Sequence, residues 1–323
     1  MANAKELMAW FLKNAHPLQA KVEKLNWIQE FSPDLTDVAV EIVINDIKWT
    51  GWGIGQTQEL ACVKALAEAL ERAMMQENKI ENSNGMAAHL SYELAQKNAI
   101  QELIERDLFL CHFYTHSPLN RAPDNLVTKV GLSSYREWLN AHQIDLSLYW
   151  LTDSGVVCCV DGRRAHSPFG YIIGAALKDD LYTSVKSAIF ETARASFNFI
   201  KNKKMTSSLT IEEFAKLPSK NFADHGRLAL DISYANTISW LFDSNTKILN
   251  NRKLLKIRTE TLLSSNPILR SCPLHFVRAS SIEMQSLFIG EPKEEKMNFQ
   301  ALRQFTNLDL TWNSLVKLAH PFA

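Results

Sequence analysis

Several features that would assign a function at once are missing from this sequence. Cysteine is sparse: five residues, at positions 62, 111, 158, 159 and 272, with no Cys-x-x-Cys spacing. That odd, scattered set predicts neither a disulfide framework nor a structural zinc site, and a reducing cytosol is the natural compartment. Thirty-five basic residues balance 35 acidic ones, so no charge excess points to nucleic acid or an anionic membrane. The longest apolar stretch, Phe169 to Leu177 with its glycines counted in, is nine residues, far short of the ~20 that cross a bilayer. The opening residues lack the basic patch, apolar core and cleavage site of a secretory signal. No Gly-x-Ser-x-Gly elbow offers a nucleophilic serine. Glycine numbers only 11, yet Gly51, Gly53, Gly55 and Gly85 fall within one 35-residue window. Such a concentration marks backbone that must bend or approach something closely.

What is present is ordinary globular composition, 46% hydrophobic and 22% charged, enough for a sizeable core. Periodicity predicts an amphipathic helix over 3–14, a strand over 37–49 where Val38, Val40, Ile42 and Ile44 alternate, and two long helices over 57–77 and 91–114. A shorter helix over 133–142 leads to strands at 145–151, 155–161 and 169–177, then to a helix over 181–201. Beyond 220 the pattern mixes helix and short strands. No Pro/Gly/Ser linker interrupts the chain, so a single domain is expected, with a helical extension over 1–35, a core over 36–290 and a tail over 291–323. Helices alternating with hairpin-like strand pairs make the class α+β, with helices layered on a mixed or antiparallel sheet.

One pattern recurs. Gly51, Ala61, Ala65, Glu68 and Glu71-Arg72 return 34 residues later as Gly85, Ala95, Ala99, Glu102 and Glu105-Arg106. Part of the spacing returns again as Gly174, Ser184, Ala188 and Glu191, with Arg194 where the second glutamate would be. A helical-repeat array of this period is excluded, because a further copy would start at Leu119 and residues 119–140 do not fit. Duplicated glycine-turn-helix units within one fold remain. On the first helix Val63, Leu66, Leu70 and Met74 form an apolar stripe; on the second Ile100, Leu103, Ile104 and Leu108 do. Glu68 with Glu71, and Glu102 with Glu105, share the opposite faces. One reading makes Glu68–Arg72 and Glu102–Arg106 ordinary ion pairs on solvated faces, worth roughly a few tenths of a kcal/mol. The alanines on those faces argue instead for close approach by another group.

Four glutamates on two neighbouring helices repel unless cations lie among them. Magnesium suits them, since it takes hard oxygen ligands and binds through a few carboxylates plus nucleotide phosphates. Gly51-Trp-Gly53-Ile-Gly55 and the helix N-termini offer N–H groups to phosphate oxygens, although the spacing is not that of a Walker loop. The rival reading, a di-iron carboxylate site, wants Glu-x-x-His where this chain has Glu-x-x-Glu. His112 and His116 allow a zinc site to be drawn, but Pro118 ends the helix there and packing or capping is the simpler role. Cys158-Cys159 lies in an apolar strand and is expected to be buried.

Asn82-Ser-Asn-Gly-Met-Ala-Ala88, followed by Ala95, Ala99 and Glu102-Leu-Ile-Glu105-Arg106-Asp107, resembles the signature of the YcaO family. Gly51 to Arg72 is similar to the preceding family segment, and Gly174 to Arg194 to a later one. The resemblance implies a YcaO-like layered fold with ATP and Mg2+ bound between glutamate-bearing helices. Family members use ATP to phosphorylate a backbone amide oxygen of a peptide. Attack by a nearby Cys, Ser or Thr then gives an azoline, and external sulfide gives a thioamide. Carried over by position, Glu68, Glu71, Glu102 and Glu105 are the implied magnesium ligands, with Arg72 and Arg106 as phosphate or structural partners. Gly53, Gly55, Ser83, Asn84, Glu191 and Arg194 complete the implied nucleotide site. The resemblance further implies a peptide substrate and a partner that holds it, like the ubiquitin-activating enzymes or another peptide clamp, and leaves a homodimer open.

The chain departs from the family pattern at His89-Leu90-Ser91, where Gly-Asn-Thr is common, and at Leu94, where an acidic residue is common. Trp52 and Ile54 stand where a basic residue is often found, and Arg194 and Ser196 where glutamine and arginine are usual. The ending His320-Pro-Phe-Ala323 is one residue off the frequent Pro-Phe-Pro, and the Ala323 carboxylate is expected to take a proton near the reacting amide. The alternative expectation is a catalytically impaired member, a nucleotide-binding or scaffolding subunit of a peptide-modifying complex.

Overall fold

The computed structural model describes residues 2–82, 84–202, 207–243 and 256–322. In chain order the first elements are α1 (Ala2–Asn14), β1 (Lys21–Lys24), β2 (Thr36–Ile44), β3 (Ile47–Gly55), α2 (Gln58–Glu77), β4 (Met86–His89) and α3 (Tyr92–Tyr114). Then come β5 (Asn120–Arg121), α4 (Asn125–Lys129), α5 (Ser133–Ala141), β6 (Asp145–Trp150), β7 (Gly155–Asp161), β8 (Tyr171–Leu177) and α6 (Leu181–Asn202). The last third carries α7 (Ile211–Lys216), α8 (Phe222–Ala229), α9 (Ile232–Thr237), β9 (Arg258–Thr261), α10 (Pro267–Arg270), β10 (His275–Ser280) and α11 (Phe299–Thr306). No described helix is long and apolar enough to cross a membrane.

Contacts gather the chain into two compact units, Met1–Leu103 with Ile257–Ser280, and Ile104–Lys256 with Ser281–Ala323. The boundary falls inside α3, where no linker composition marks it. The first unit holds the antiparallel sheet β1-β2-β3 and the smaller sheet β4-β10-β9. The strand expected over 37–49 is a hairpin: Asn45 and Asp46 both have positive φ, and β2 pairs with β3 from Thr36↔Gly55 to Ile44↔Ile47. Asn and Asp tolerate the left-handed region that a two-residue hairpin turn requires. Residues 1–35 contribute more than a helix, since β1 pairs with β2 and Leu7, Trp10 and Phe11 enter the core.

Helix α2 starts where the Thr57 side chain accepts the Leu60 N–H, a standard N-cap. Its buried face is made of Ala61, Ala65, Leu66, Ala69, Leu70, Ala73 and Met74. The alanines let β3 press onto the helix. A Cβ at Gly51 would lie 2.0 Å from the Ala65 carbonyl, and one at Gly53 2.0 Å from the Ala61 carbonyl. Close approach of helix to strand, not left-handed backbone, therefore demands glycine at both positions.

The second unit repeats this construction. Its sheet runs β5-β6-β7-β8, antiparallel throughout, with α6 packed on β7 and β8. A Cβ at Gly174 would lie 2.7 Å from the Ala188 carbonyl, the counterpart of Gly51 against Ala65. Beside it a core of Phe109, Phe113, Tyr114, Tyr171, Phe214 and Tyr234 is closed by α8, α9 and α11. The first and third copies of the sequence pattern are thus the same hairpin-and-helix unit. The second copy is different: Gly85 has φ +69°, a Cβ there would meet the Ala279 carbonyl at 2.5 Å, and its own carbonyl accepts the Ala279 N–H at 2.7 Å.

Candidate functional site

In the first unit Glu68 and Glu71 stand against strand edges. Antiparallel pairing leaves alternate N–H groups of an edge strand pointing outward, and these need acceptors. Glu68 Oε2 takes the Trp52 N–H of β3 at 2.6 Å, while Arg72 donates to the Thr50 carbonyl and to Glu68 Oε1 at 2.8 and 2.7 Å. Lys64 donates to the Ile54 carbonyl at 2.8 Å. Lys64, Glu68 and Arg72, four residues apart on one face of α2, so line the edge of β3. Arg72 also lies over the Trp52 ring, 5.1 Å from its centroid. Glu71 Oε2 takes the Ala88 N–H of β4 at 3.1 Å.

Burial and neighbouring charge act together on Glu71. Burial pushes its carboxyl well above the usual carboxylate range, the charges of Glu102 and then Glu68 push it further, and the Ala88 N–H and Arg72 only partly offset them. Three carboxylates with one guanidinium among them favour a bound cation. Hard oxygen donors of this kind fit Mg2+. Asn84 adds a second fit: it is buried, and its side-chain oxygen has no hydrogen-bond partner among the described residues. Ser83, expected beside it, lies outside the described residues. As they stand, the described residues hold no group of three or more His, Cys, Asp or Glu side chains arranged to grip a metal ion; Glu68 and Glu71 are turned onto strand N–H groups instead.

The second unit has the opposite balance. Glu105 is buried; its Oε2 takes the Leu177 N–H of β8 at 3.0 Å, and its Oε1 lies 3.7 Å from Arg106 Nε. Glu191 Oε2 takes the Ala175 N–H at 3.1 Å. Trp52 and Glu68, like Ala175 and Glu191, are 16 residues apart, so the two units cap their edge strands in the same way. Glu191 retains exposed surface, yet loss of solvation is the largest influence on its carboxyl and raises it, against the opposing pull of Arg106, the Ala175 N–H, Lys178 and Arg194. Arg106, Lys178 and Arg194 outnumber the carboxylates here and suit an anion such as phosphate.

Gly53 and Gly55 were expected to face phosphate. The structure gives them a packing role, with Cβ atoms that would stand 2.0 and 2.8 Å from Ala61 backbone atoms. Lys178 was missed; its signal is a lysine at the end of β8, where the Ser184 hydroxyl accepts its N–H at 2.8 Å. His112 and His116 pack as expected: His112 bonds the Ser117 carbonyl at 2.9 Å, with burial lowering it to about 4, and His116 stacks on Trp240 at 3.9 Å. All five thiols are free and four are buried, Cys158 and Cys159 among them; burial pushes Cys158 up to about 12, so it is inert. Ala323 lies outside the described residues.

A family model for the YcaO cyclodehydratases, described as ATP- and Mg2+-binding, matches residues 75–262. No curated protein matches the sequence. Among solved structures, a heterocyclase in complex with substrate and cofactor is similar with TM-score 0.63 at 12% identity, over 98% of this chain and 57% of its own. The chain therefore spans little more than half of that protein's length. YcaO from Methanopyrus kandleri bound with AMPPCP and Mg2+ gives TM-score 0.52 at 15% identity, over 86% of this chain and 90% of its own. A chain of the E. coli microcin synthetase McbBCD complex gives 0.51 at 11% identity, over 77% and 85%. At these identities the likeness is one of fold, and it matches the α+β layering expected from the sequence.

Proposed function

Since the chain belongs to the YcaO cyclodehydratase family, whose cofactors are ATP and Mg2+, we propose that it activates a backbone amide of a ribosomally made peptide and so gives an azoline or a thioamide. The observation that supports this reading is the Glu71 carboxyl, raised by burial and by the charges of Glu102 and Glu68, an excess of negative charge that a bound cation would offset. ATP would supply the phosphoryl group that turns the amide oxygen into a leaving group.

The chain's own residues would bind and orient. Glu68, Glu71, Glu102 and Glu105 are the proposed magnesium ligands, and Asn84 supplies a buried oxygen to the nucleotide. Arg72, Arg106, Lys178 and Arg194 hold phosphate oxygens, and Glu191 fixes the arginines by charge. Positioning and charge neutralisation of this kind are most of what phosphoryl-transfer catalysts contribute. A peptide has much conformational entropy to lose, so a partner that presents it is part of the proposal, in keeping with a structural relative found in a synthetase complex. The five free thiols suit a reducing cytosol.

A second reading, a nucleotide-binding scaffold without turnover, is favoured by one observation. Glu68, Glu71, Glu105 and Glu191 each already have an oxygen engaged by a strand N–H, which is what purely structural caps would do. Calorimetry with ATP separates the cofactor claim from chance. Wild type should bind ATP only with Mg2+, and a Glu68→Gln/Glu102→Gln variant should lose that dependence; equal affinity in both, with and without Mg2+, overturns the assignment. ATP turnover that rises with peptide and partner then decides between enzyme and scaffold.

A further inference from the structure

Residues 315–322 are seated in the second unit by buried polar contacts that the function proposed above does not use. His225 and His320 are both buried and stacked, with ring centroids 4.2 Å apart and planes 17° from parallel. The Gly290 N–H donates to His225 Nε2 at 2.9 Å, so that nitrogen carries no proton. The hydrogen is then on Nδ1, which donates to the His320 carbonyl at 2.7 Å. His320 Nε2 lies 2.8 Å from the Phe288 carbonyl, which only accepts, so Nε2 is the donor. His320 Nδ1 is left buried without a hydrogen-bond partner among the described residues. His225 is therefore neutral in this arrangement, and burial beside His225 and Arg106 disfavours a charge on His320.

Two backbone groups of the segment are also held. The Tyr234 hydroxyl donates to the Ala319 carbonyl, and the Val316 N–H donates to the Tyr114 carbonyl at 3.0 Å. At the far end Phe322 packs on Phe109 at 4.8 Å, and the Arg106 guanidinium lies 3.9 Å from the centroid of its ring. A cation–π contact this close restricts the guanidinium.

We propose that His225 and His320 form a neutral clamp that positions residues 315–322, and through Phe322 the Arg106 guanidinium, and that protonation of the imidazoles releases the segment. The step from Arg106 to catalysis rests on the function proposed above; the clamp itself does not.

The charges around the pair set the direction. Around His225 stand Asp224, itself paired with Arg227, and Glu291, paired with Lys220. Burial lowers His225, with Lys220 in the same sense and the His320 carbonyl, Asp224 and Glu291 opposed. Burial lowers His320 further, helped by His225 and Arg106 and opposed by the Phe288 carbonyl and the Phe322 backbone. The Tyr114 and Tyr234 phenols nearby are pushed up by burial and stay neutral. A released imidazole returns to about 6.5. The closed state is thus fully favoured above that value and is lost as pH falls below it. From pH 7.5 to 5.5 opening should increase by up to about tenfold for each ring that stays unprotonated in the closed state.

Hydrogen exchange of residues 315–322, corrected for the intrinsic rate, tests this on the full chain. Protection should fall about 10- to 100-fold from pH 7.5 to 5.5 in wild type, and the fall should vanish in His225→Gln/His320→Gln, whose amides keep donors and do not titrate. Flat protection in wild type, or an equal fall in the variant, overturns the clamp. Imidazole 15N spectra of wild type give a check that needs no variant. They should show Nδ1–H on His225 and Nε2–H on His320, with no titration above pH 5.5, and protonation above that pH overturns the proposal. In the peptide-dependent reaction the variant should flatten the acid limb of the pH profile. If the exchange result holds and that limb does not move, the link to Arg106 is wrong while the clamp stands.

Discussion

Replacing Glu71 with glutamine should stabilise the protein in magnesium-free buffer and remove its response to Mg·ATP. The Glu71 carboxyl is raised from its ordinary 4.5 by burial and by its neighbours Glu102 and Glu68. A carboxyl raised in the folded state binds its proton more readily there than in the unfolded chain. Its favourable contribution is therefore complete below 4.5 and is lost as pH rises through the folded-state value. At neutral pH the ionised group costs stability, about 1.4 kcal/mol for each unit by which it is raised. Glutamine keeps an oxygen for the Ala88 N–H, which Glu71 accepts at 3.1 Å, and carries no charge. The variant should then be more stable than wild type at pH 7.5, with a higher Tm, and the gain should shrink to nothing near pH 4.5. With Mg·ATP at a hundredfold excess over Kd, wild type should gain about 2.7 kcal/mol by mass action and the variant little. Thermal unfolding from pH 4.5 to 8, in EDTA and in Mg·ATP, reads both effects. A variant less stable than wild type in EDTA at pH 7.5, or one with the same Mg·ATP shift, refutes the reasoning.

Gly53→Ala should destabilise the first unit by about 3 kcal/mol or more, because its Cβ would stand 2.0 Å from a backbone carbonyl that cannot yield without moving α2; chemical denaturation measures it. Gly131→Ala, with nothing within 4 Å but φ +76°, should lose only about 1 kcal/mol. Under native conditions at pH 8 the five thiols should react slowly with iodoacetamide, since four are buried and burial pushes Cys272 up to about 12; fast modification of Cys158 or Cys159 contradicts the packing of β7. His89→Gly/Leu90→Asn, which restores the common family residues, should tighten Mg·ATP binding in calorimetry, and an unchanged Kd means that this loop does not face the nucleotide.

Local signals were legible and long-range ones were not. The helices α2, α3 and α6 and the strands β6 to β8 follow from hydrophobic periodicity, and their observed bounds lie within two residues of the expected ones. The Gly51 and Gly174 copies are the same unit because glycine, alanine and glutamate answer one local problem, a helix packed on a strand edge. The Gly85 copy fails because its conformation is fixed by Ala279, a residue of distant β10. Spacing placed Glu68 and Glu71 on one face of α2, but it did not show that each caps a different strand, since β4 pairs with β10 rather than with β3. Nor did it show the His225–His320 stack, which depends on two segments 95 residues apart.

A crystal structure with Mn2+ and a non-hydrolysable ATP analogue tests the central claim most directly, because the anomalous signal of manganese locates the metal without reference to the protein. The account predicts metal peaks about 2.0–2.2 Å from carboxylate oxygens of Glu68, Glu71, Glu102 and Glu105, with phosphates against Arg72, Arg106 and Arg194. Metal and nucleotide bound elsewhere, with Glu68, Glu71 and Glu105 still on the strand N–H groups, would contradict it.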